Sequence, residues 1–399
     1  MVNVYVSTNG CIEAKLSTKQ LKDYLLKNNY NITKNIKDAD YVIFWACGLR
    51  AHQRKNSINI IKKLKNKKNK NAEFIVWGCL TQIEPELLTP FYNGKLIGPR
   101  KSSEFEKIFQ GSFSINNISC VACENDFNFN EKKDIPGYKK DLLTGIMDRF
   151  LLGFFKRFVL PDKLKSKPYY IRISTGCTNA CTYCTEKLTW GFVKSRPIQD
   201  IVNDINEGIK KGYDRFILQS GDLGSYGMDS NSSLPKLLEE IINKCKSDDI
   251  KFLLSQIHPN YFAKYYPELE KIFTSNKIER IGCQVQSGSD KILSLMNRGY
   301  LAKDWRNAII KVNKNFPNIE ITTHLMIGFP GEDDKDFKKT MDLLRPPIVL
   351  KDIGLFIYTS SSRIRSTKME NQIPDKIKFR RYNKLRRKCI IHYIKNSLK

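Results

Sequence analysis

No stretch of this 399-residue chain is apolar for long enough to cross a bilayer. The longest candidate, residues 145–160 (GIMDRFLLGFFKRFVL), is broken by Asp148, Arg149, Lys156 and Arg157, and it reads instead as an amphipathic helix packed between domains. The opening MVNVYVSTNG has no basic segment followed by an apolar core, so it offers no secretory signal. Acid is short against base, with 41 Asp and Glu to 68 Lys and Arg. Histidine is scarce at 4 residues, but cysteine is plentiful at 11. Without a secretory signal, those thiols point to a cytoplasmic protein and to metal ligation rather than disulfides.

The shortage of acid leaves a net charge of +27, which attracts polyanions. Two segments concentrate it. Residues 62–70 (KKLKNKKNK) carry six lysines, and residues 376–399 carry ten basic residues with no acid. The chain is rich in Lys and Asn throughout, so part of the excess belongs to general composition. Charge alone points to nucleic acid without specifying it.

The most informative stretch is GCTNACTYCTEKLTWGFVKSRP, residues 176–197. Cys177, Cys181 and Cys184 stand in a CxxxCxxC spacing. Structural zinc sites pair CxxC knuckles or add distal histidines, and no fourth ligand follows at such a spacing here. Ferredoxin loops space their thiolates differently and supply a fourth. Three thiolates on one short loop suit a 4Fe–4S cluster with one iron left open for a small ligand. The competing reading is a partial zinc site or three unrelated thiols.

Around this loop the chain alternates strand and helix patterns. Strands are predicted over 2–7, 41–44 and 74–77, with helices over 17–29 and 49–66 between them, an order that builds a parallel sheet. Cys11, Cys47 and Cys79 each follow one of these strands, where open α/β sheets place their ligand crevice. They either converge on one site or are unrelated small buried residues. Residues 112–166 read as a linker with one helix, and its Cys120 and Cys123 (CVAC) as incidental. Alternation resumes with strands predicted over 169–174, 215–219, 252–255, 280–285, 319–327 and 353–358, and helices such as 198–212 and 333–344. Six such units make a partial α/β barrel. Its chemistry sits on loops at the carboxyl ends of strands, where GDLGSYG (221–227), QSGSD (286–290) and GFPGED (328–333) also fall.

In its motifs the chain resembles the radical S-adenosylmethionine methylthiotransferases. The resemblance rests on NGC (9–11), ACGLRAHQRK (46–55), GCLTQ (78–82), TGCTNACTYC (175–184), DLGSYGMD (222–229), QVQSGSDKILSLMNRGY (284–300) and IGFPGEDDKDF (327–337). It implies an α/β fold. A parallel-sheet cluster-binding domain (1–111) precedes a linker (112–166), a partial (β/α)6 radical SAM barrel (167–360) and a basic helical tail (361–399). It also implies two 4Fe–4S clusters, one on Cys177, Cys181 and Cys184 and the other on Cys11, Cys47 and Cys79, with S-adenosylmethionine as cofactor. Tyr183 becomes a candidate neighbour of the adenine or a plain loop aromatic. Gln286 and Ser287 become candidates to line the mouth or simply turn residues. His324 reads as a satisfied strand histidine near the site edge.

The chemistry implied is replacement of a C–H bond by a methylthio group. The first cluster cleaves the cofactor to a 5′-deoxyadenosyl radical, and the second delivers sulfur. A reducing partner such as flavodoxin or ferredoxin and a sulfur donor would be required. QSGSD with MNRGY is closer to the tRNA-modifying branch, and STGC, DLGSYG and HPNYF lean toward the enzymes acting on N6-threonylcarbamoyladenosine beside the anticodon. Departures from the family pattern are His324 for an aspartate, Gly221 for Gln or Glu, Ala14 for an asparagine, and TSSSRIRS after Tyr358. The residues after Tyr358 also look too few for the small β-barrel RNA-binding domain of such enzymes. A peptide, protein or small-molecule substrate is the second reading, and a non-catalytic iron–sulfur or zinc RNA-binding protein the third.

Anaerobically reconstituted protein is therefore expected to hold two 4Fe–4S clusters. Replacing Cys177, Cys181 and Cys184 by Ala should leave about half the iron and abolish 5′-deoxyadenosine formation. Replacing Cys11, Cys47 and Cys79 should remove the other half and abolish product while cofactor cleavage survives. Iron and labile-sulfide analysis checks both, and zinc without sulfide contradicts the reading.

Overall fold

The alternation of buried side chains with helix-forming segments sorts the chain into two parallel sheets, seen in a computed structural model that describes residues 1–123, 126, 167–245 and 247–397. The predicted amphipathic helix over 145–160 lies outside these residues. The first sheet has five strands, β1 (Asn3–Thr8), β2 (Asn31–Ile32), β3 (Tyr41–Trp45), β4 (Glu73–Trp77) and β5 (Lys95–Ile97), in the order β2-β1-β3-β4-β5 and parallel throughout. This order reverses direction between β1 and β3, and doubly wound sheets open their ligand crevice at such a switch point. Cys11 and Cys47 follow those two strands, and Cys79 follows β4 beside them.

Helix α1 (Ile12–Lys27) starts directly after Cys11, five residues before the predicted start. Its first turn thereby belongs to the crevice and carries Glu13. Helix α2 (Ala51–Lys67) buries Ser57, Ile60, Ile61 and Leu64 against the sheet and exposes most of its lysines. Strands β2 and β5, of two and three residues, escaped prediction because so short a run has no periodicity.

The second sheet has seven strands in the order β14-β13-β12-β11-β10-β7-β6. Six are parallel and in chain order: β7 (Tyr169–Arg172), β10 (Arg215–Gln219), β11 (Lys251–Ile257), β12 (Ile278–Cys283), β13 (Glu320–Ile327) and β14 (Asp352–Ile357). The seventh, β6 (Val121–Cys123), pairs antiparallel with β7. Thus CVAC is not loose linker: it forms an edge strand of the barrel sheet, with Cys120 buried against Leu16 and Ala122. A two-stranded ribbon, β8 (Ser174–Thr175) with β9 (Lys194–Ser195), brackets the cysteine loop. One large apolar core, including Phe216, Phe252, Trp305 and Ile327, lies between the sheet and its helices. No helix among the described residues is long and apolar enough to cross a membrane.

The C-terminal segment is the main revision to the sequence reading. Its helix, Asp375–Ser397, packs along β13 and β14, and Leu385 and Cys389 join the barrel core. Arg381, only 7% exposed, is bonded to Glu332 at 2.9 Å and to Asp334 at 2.8 Å. Removing one partner of a buried pair leaves an uncompensated charge, at a cost of roughly 3–5 kcal/mol. Arg381→Met should therefore lower the urea midpoint by that equivalent. Arg380→Met, at a largely exposed neighbour, should stay within about 0.5 kcal/mol. Equilibrium unfolding of the two variants tests the assignment.

Candidate functional site

The two sheets meet along their cysteine-bearing loops. Arg172, at the end of β7, donates from Nε to Glu13 Oε2 at 2.8 Å, and its Nη2 bonds the Glu13 carbonyl and, at 2.9 Å, Ser17 Oγ. Its guanidinium lies over Trp190, 5.2 Å from the ring centre, and Trp190 stacks on Trp45 at 5.9 Å. Arg100 caps the Phe192 carbonyl at 2.7 Å. On the other flank Arg54 bridges Glu84 at 3.1 Å and the Ser360 carbonyl at 2.8 Å. These contacts hold the N-terminal crevice against the barrel mouth.

Around the first trio, Asn9 Oδ1 accepts from the Cys47 amide at 3.0 Å and Ser57 Oγ donates to the Cys47 carbonyl at 2.8 Å, fixing that loop. Burial pushes the Cys47 thiol up to about 11 and raises Cys79 well above its ordinary value, with Cys11 weighing on both and Cys47 on Cys79. Around the second trio, Gly176 takes a left-handed φ of +74°. A side chain there would strike the Phe192 carbonyl, so the turn into Cys177 requires glycine. Asn179 donates to Cys177 Sγ from its amide at 3.3 Å and from Nδ2 at 3.2 Å. The Glu186 amide donates to Cys184 Sγ at 3.3 Å, and Arg298 Nη1 approaches Cys181 Sγ at 3.4 Å. Desolvation, with Asp222 close by, pushes Cys177 up to about 12; Cys184 is raised first by burial and then by Glu186.

Cys11 and Cys184 are reachable by solvent, yet protein surrounds them densely enough to raise both thiols. Among the described residues no three such side chains are drawn in to hold a single metal ion. A four-iron cube spreads its thiolates wider than one ion does. The donor set fits it: three sulfurs per site, N–H donors aimed at sulfur in the second, and thiols that will not ionise without a nearby cation.

Several polar groups in the barrel mouth have no partner. Gln284 Oε1, Gln286 Oε1, Ser255 Oγ and His258 Nε2 are buried and unbonded among the described residues. His258 accepts from the Asn260 amide through Nδ1, leaving Nε2 as its donor, and burial holds the ring neutral, down to about 2. Gln286 sits at φ +70°. The Ser287 hydroxyl bonds Thr340 Oγ1 at 3.1 Å on the helix side. Tyr183 packs in a small cluster with Phe329 and Met326, and its hydroxyl accepts from Arg298 at 3.2 Å. His324 stacks edge-on to Phe356 with Arg50 over the same ring, and burial lowers it to about 4. Asp222 Oδ2 accepts from Asn179 at 2.7 Å and Ser225 at 2.8 Å, and Oδ1 from the Gly224 and His258 amides. Glu186, Arg298, Asp222 and His258 were not singled out from sequence. The last three lie in MNRGY, DLGSYG and HPNYF, and Glu186 lies in the 176–197 stretch, two residues after its last cysteine.

The comparisons agree with this geometry. Residues 171–344 match the model of the Radical SAM superfamily, and residues 3–94 match the uncharacterized protein family UPF0004. The tRNA-2-methylthio-N(6)-dimethylallyladenosine synthase of Clostridium botulinum is 28% identical over 388 residues, covering 96% of this chain and 80% of that protein. The ribosomal protein uS12 methylthiotransferase RimO of Thermosipho africanus is 29% identical over 379 residues, covering 94% and 80%. In fold, the radical S-adenosylmethionine methyltransferase TsrM of Kitasatospora setae aligns with a TM-score of 0.55 at 11% identity, covering 92% of this chain and 77% of TsrM. The cobalamin-dependent radical enzyme OxsB aligns at 0.57 and 15%, covering 96% of this chain and 55% of OxsB. The chain is a radical SAM enzyme. By its two domains and its relatives it belongs to the methylthiotransferases.

Hydrogen bonds to cluster-ligating sulfurs favour the reduced state. Arg298 also bonds Tyr300 at 3.3 Å and the Gln284 carbonyl, so its fork is fixed before any cluster binds. Arg298→Lys should shift the potential of the cluster on Cys177, Cys181 and Cys184 negative by roughly 30–60 mV, up to a tenfold change for one electron. An EPR-monitored redox titration reads this, with iron content as the control.

Proposed function

We propose that this chain methylthiolates a modified adenosine beside the anticodon of tRNA, in the cytoplasm. The observation that carries the reading is the facing of two cysteine trios, one from each sheet, across a mouth lined by unpaired polar groups. Cys177, Cys181 and Cys184 would hold a cluster whose chemistry is electron supply to S-adenosylmethionine, and Cys11, Cys47 and Cys79 would hold one whose chemistry is sulfur supply. The chain's own residues bind and orient. Gln284, Gln286 and His258 offer two acceptors and one donor to cofactor or substrate, and Tyr183 stands beside the cysteine loop as a wall for the adenine. The Trp45, Trp77 and Trp190 cluster behind the N-terminal trio seals one side from water. Electrons and sulfur come from a reducing partner and a sulfur donor.

The substrate assignment rests on the activity named for the Clostridium relative and on charge. The motif lean toward N6-threonylcarbamoyladenosine names a different adenosine from that relative, so the nucleoside itself is the point to test. The RimO relative favours a ribosomal protein as the second reading. Nucleoside mass spectrometry on tRNA from a deletion strain separates them: loss of one methylthioadenosine supports the proposal, and an unchanged tRNA profile removes it.

The C-terminal helix supplies a phosphate-binding face. Lys376, Arg380, Lys384 and Arg387 recur at three- and four-residue steps, Lys395 follows two turns further on, and all five are exposed, while Lys378 and Arg381 turn inward. Deleting the helix would strip the barrel core, so charge substitution is the sound test. Changing Lys376, Lys384, Arg387 and Lys395 to Gln should weaken tRNA binding and flatten its salt dependence by about 0.7–0.9 per lost contact. Cofactor cleavage without tRNA should be unchanged.

A further inference from the structure

Of the departures from the family pattern, His324 is the one that changes the charge of the mouth. Strand β13 buries Ile321, Leu325 and Ile327 in the barrel core, and β14 buries Ile353 there. Side chains alternate along a strand, so His324 and Met326, with Gly354 and Phe356, face the other way, into the mouth. Met326 and Tyr183 of the cysteine loop pack on one small cluster at that face. From the N-terminal sheet, Arg50 reaches the same place. Its guanidinium carbon lies 4.4 Å from the centre of the Phe356 ring, and the His324 ring meets that phenyl edge-on at 4.7 Å. A β-carbon on Gly354 would come to 2.6 Å from His324 Cδ2, so glycine makes the room for the imidazole.

Both polar groups are unspent. Arg50 is half-buried, and among the described residues no carboxylate pairs with it and no acceptor takes a hydrogen bond from its guanidinium. Asp352, on the same face of β14, makes no ion pair with it. Neither ring nitrogen of His324 is hydrogen-bonded among the described residues, so the satisfied histidine expected from sequence is not what the fold provides. The aspartate usual at this position would set a negative charge beside the same phenyl ring and offset Arg50. The imidazole, held neutral by burial, does not. A guanidinium cannot shed its charge, so a half-buried one without a counter-ion favours an anion.

Position selects the source of that anion. The barrel trio follows β7, at the opposite end of the six parallel strands from β13 and β14. A cofactor anchored at that trio's cluster leaves Arg50 to the acceptor substrate. We propose that Arg50 and His324 form a subsite for an oxyanion of the substrate RNA, either a carboxylate on the N6 substituent of the modified adenosine or a phosphate beside that nucleotide. The guanidinium grips either one through paired N–H donors, and the imidazole adds one more. The inference rests on the tRNA reading and deepens it.

The test uses anaerobically reconstituted protein and three anticodon stem-loop RNAs of one sequence, carrying N6-threonylcarbamoyladenosine, N6-dimethylallyladenosine or unmodified adenosine at the target position. Fluorescence anisotropy reads their binding to wild type, Arg50→Gln and His324→Asp, with iron, sulfide and S-adenosylmethionine binding measured on each. If the oxyanion is the carboxylate, wild type prefers the threonylcarbamoyl RNA by about tenfold or more. Both variants then lose that preference and hold the other two RNAs as before. If the oxyanion is a phosphate, both variants weaken all three RNAs alike, and Arg50→Gln lowers the salt slope by about 0.7–0.9. Affinities within twofold of wild type on every RNA overturn the proposal. So does loss of iron or of S-adenosylmethionine binding in Arg50→Gln, because Arg50 would then serve a cluster or the cofactor. A wild type that binds none of the three RNAs overturns the tRNA reading itself, and the subsite's substrate with it.

Discussion

The buried ion pair between Arg172 and Glu13 is the constraint on which the site depends. Glu13 stands two residues after Cys11, and Arg172 five residues before Cys177. A single guanidinium therefore sets the spacing of the two trios. Both side chains are nearly removed from solvent, at 6% and 14% exposure. A pair buried to this degree gains little net stability, because desolvation offsets most of the Coulomb attraction. What it supplies is register. Arg172 reaches Glu13 Oε2, the Glu13 carbonyl and Ser17 Oγ together only when helix α1 docks in one orientation, and any slip would leave a charge without its partner.

With the crevice fixed, the thiols follow. Packing three cysteines per site into a protein-walled space raises Cys11, Cys47, Cys79, Cys177 and Cys184, burial being the largest cause in each case. Such thiols give up their protons only to a metal, which couples cluster assembly to deprotonation. The donors from Asn179, the Glu186 amide and Arg298 are already aimed at the barrel trio, so that site is prepared before the metal arrives. At the N-terminal trio the backbone amides of Ala14 and Glu13 lie against the Cys11 thiol and that of Leu49 against Cys47, and the Cys47 loop is held from behind by Asn9 and Ser57.

The CxxxCxxC loop stood out in the sequence because its signal is local, whereas three cysteines each just after a strand left convergence open on pattern alone, and only the family resemblance implied a shared site. The parallel alternation was legible for the same reason, since β10 ran over the predicted 215–219 and the other long strands shifted by a residue or two. Contacts between distant segments were not legible. Glu186 and Gly221 share one volume though 35 positions apart, and no periodicity records that exchange. The β6 strand is three residues long and pairs antiparallel at an edge, so CVAC looked like linker. Helix α1 begins at Cys11 without a side-chain cap, and the missing cap hid its first turn.

The C-terminal helix shows why charge counts mislead when read from sequence alone. Ten basic residues without an acid pointed to polyanions without specifying them. Instead the helix is two-faced. Arg381 and Lys378 are spent on Glu332, Asp334, Asp375 and the Tyr358 ring, closing the barrel over its last strands. Only the opposite face is open to solvent, and there the charges fall into one line. The inward charges are neutralised by carboxylates, while Leu385 and Cys389 join the barrel core. The helix is thus a structural wall first, and its capacity to grip RNA is set by the residues the fold did not need.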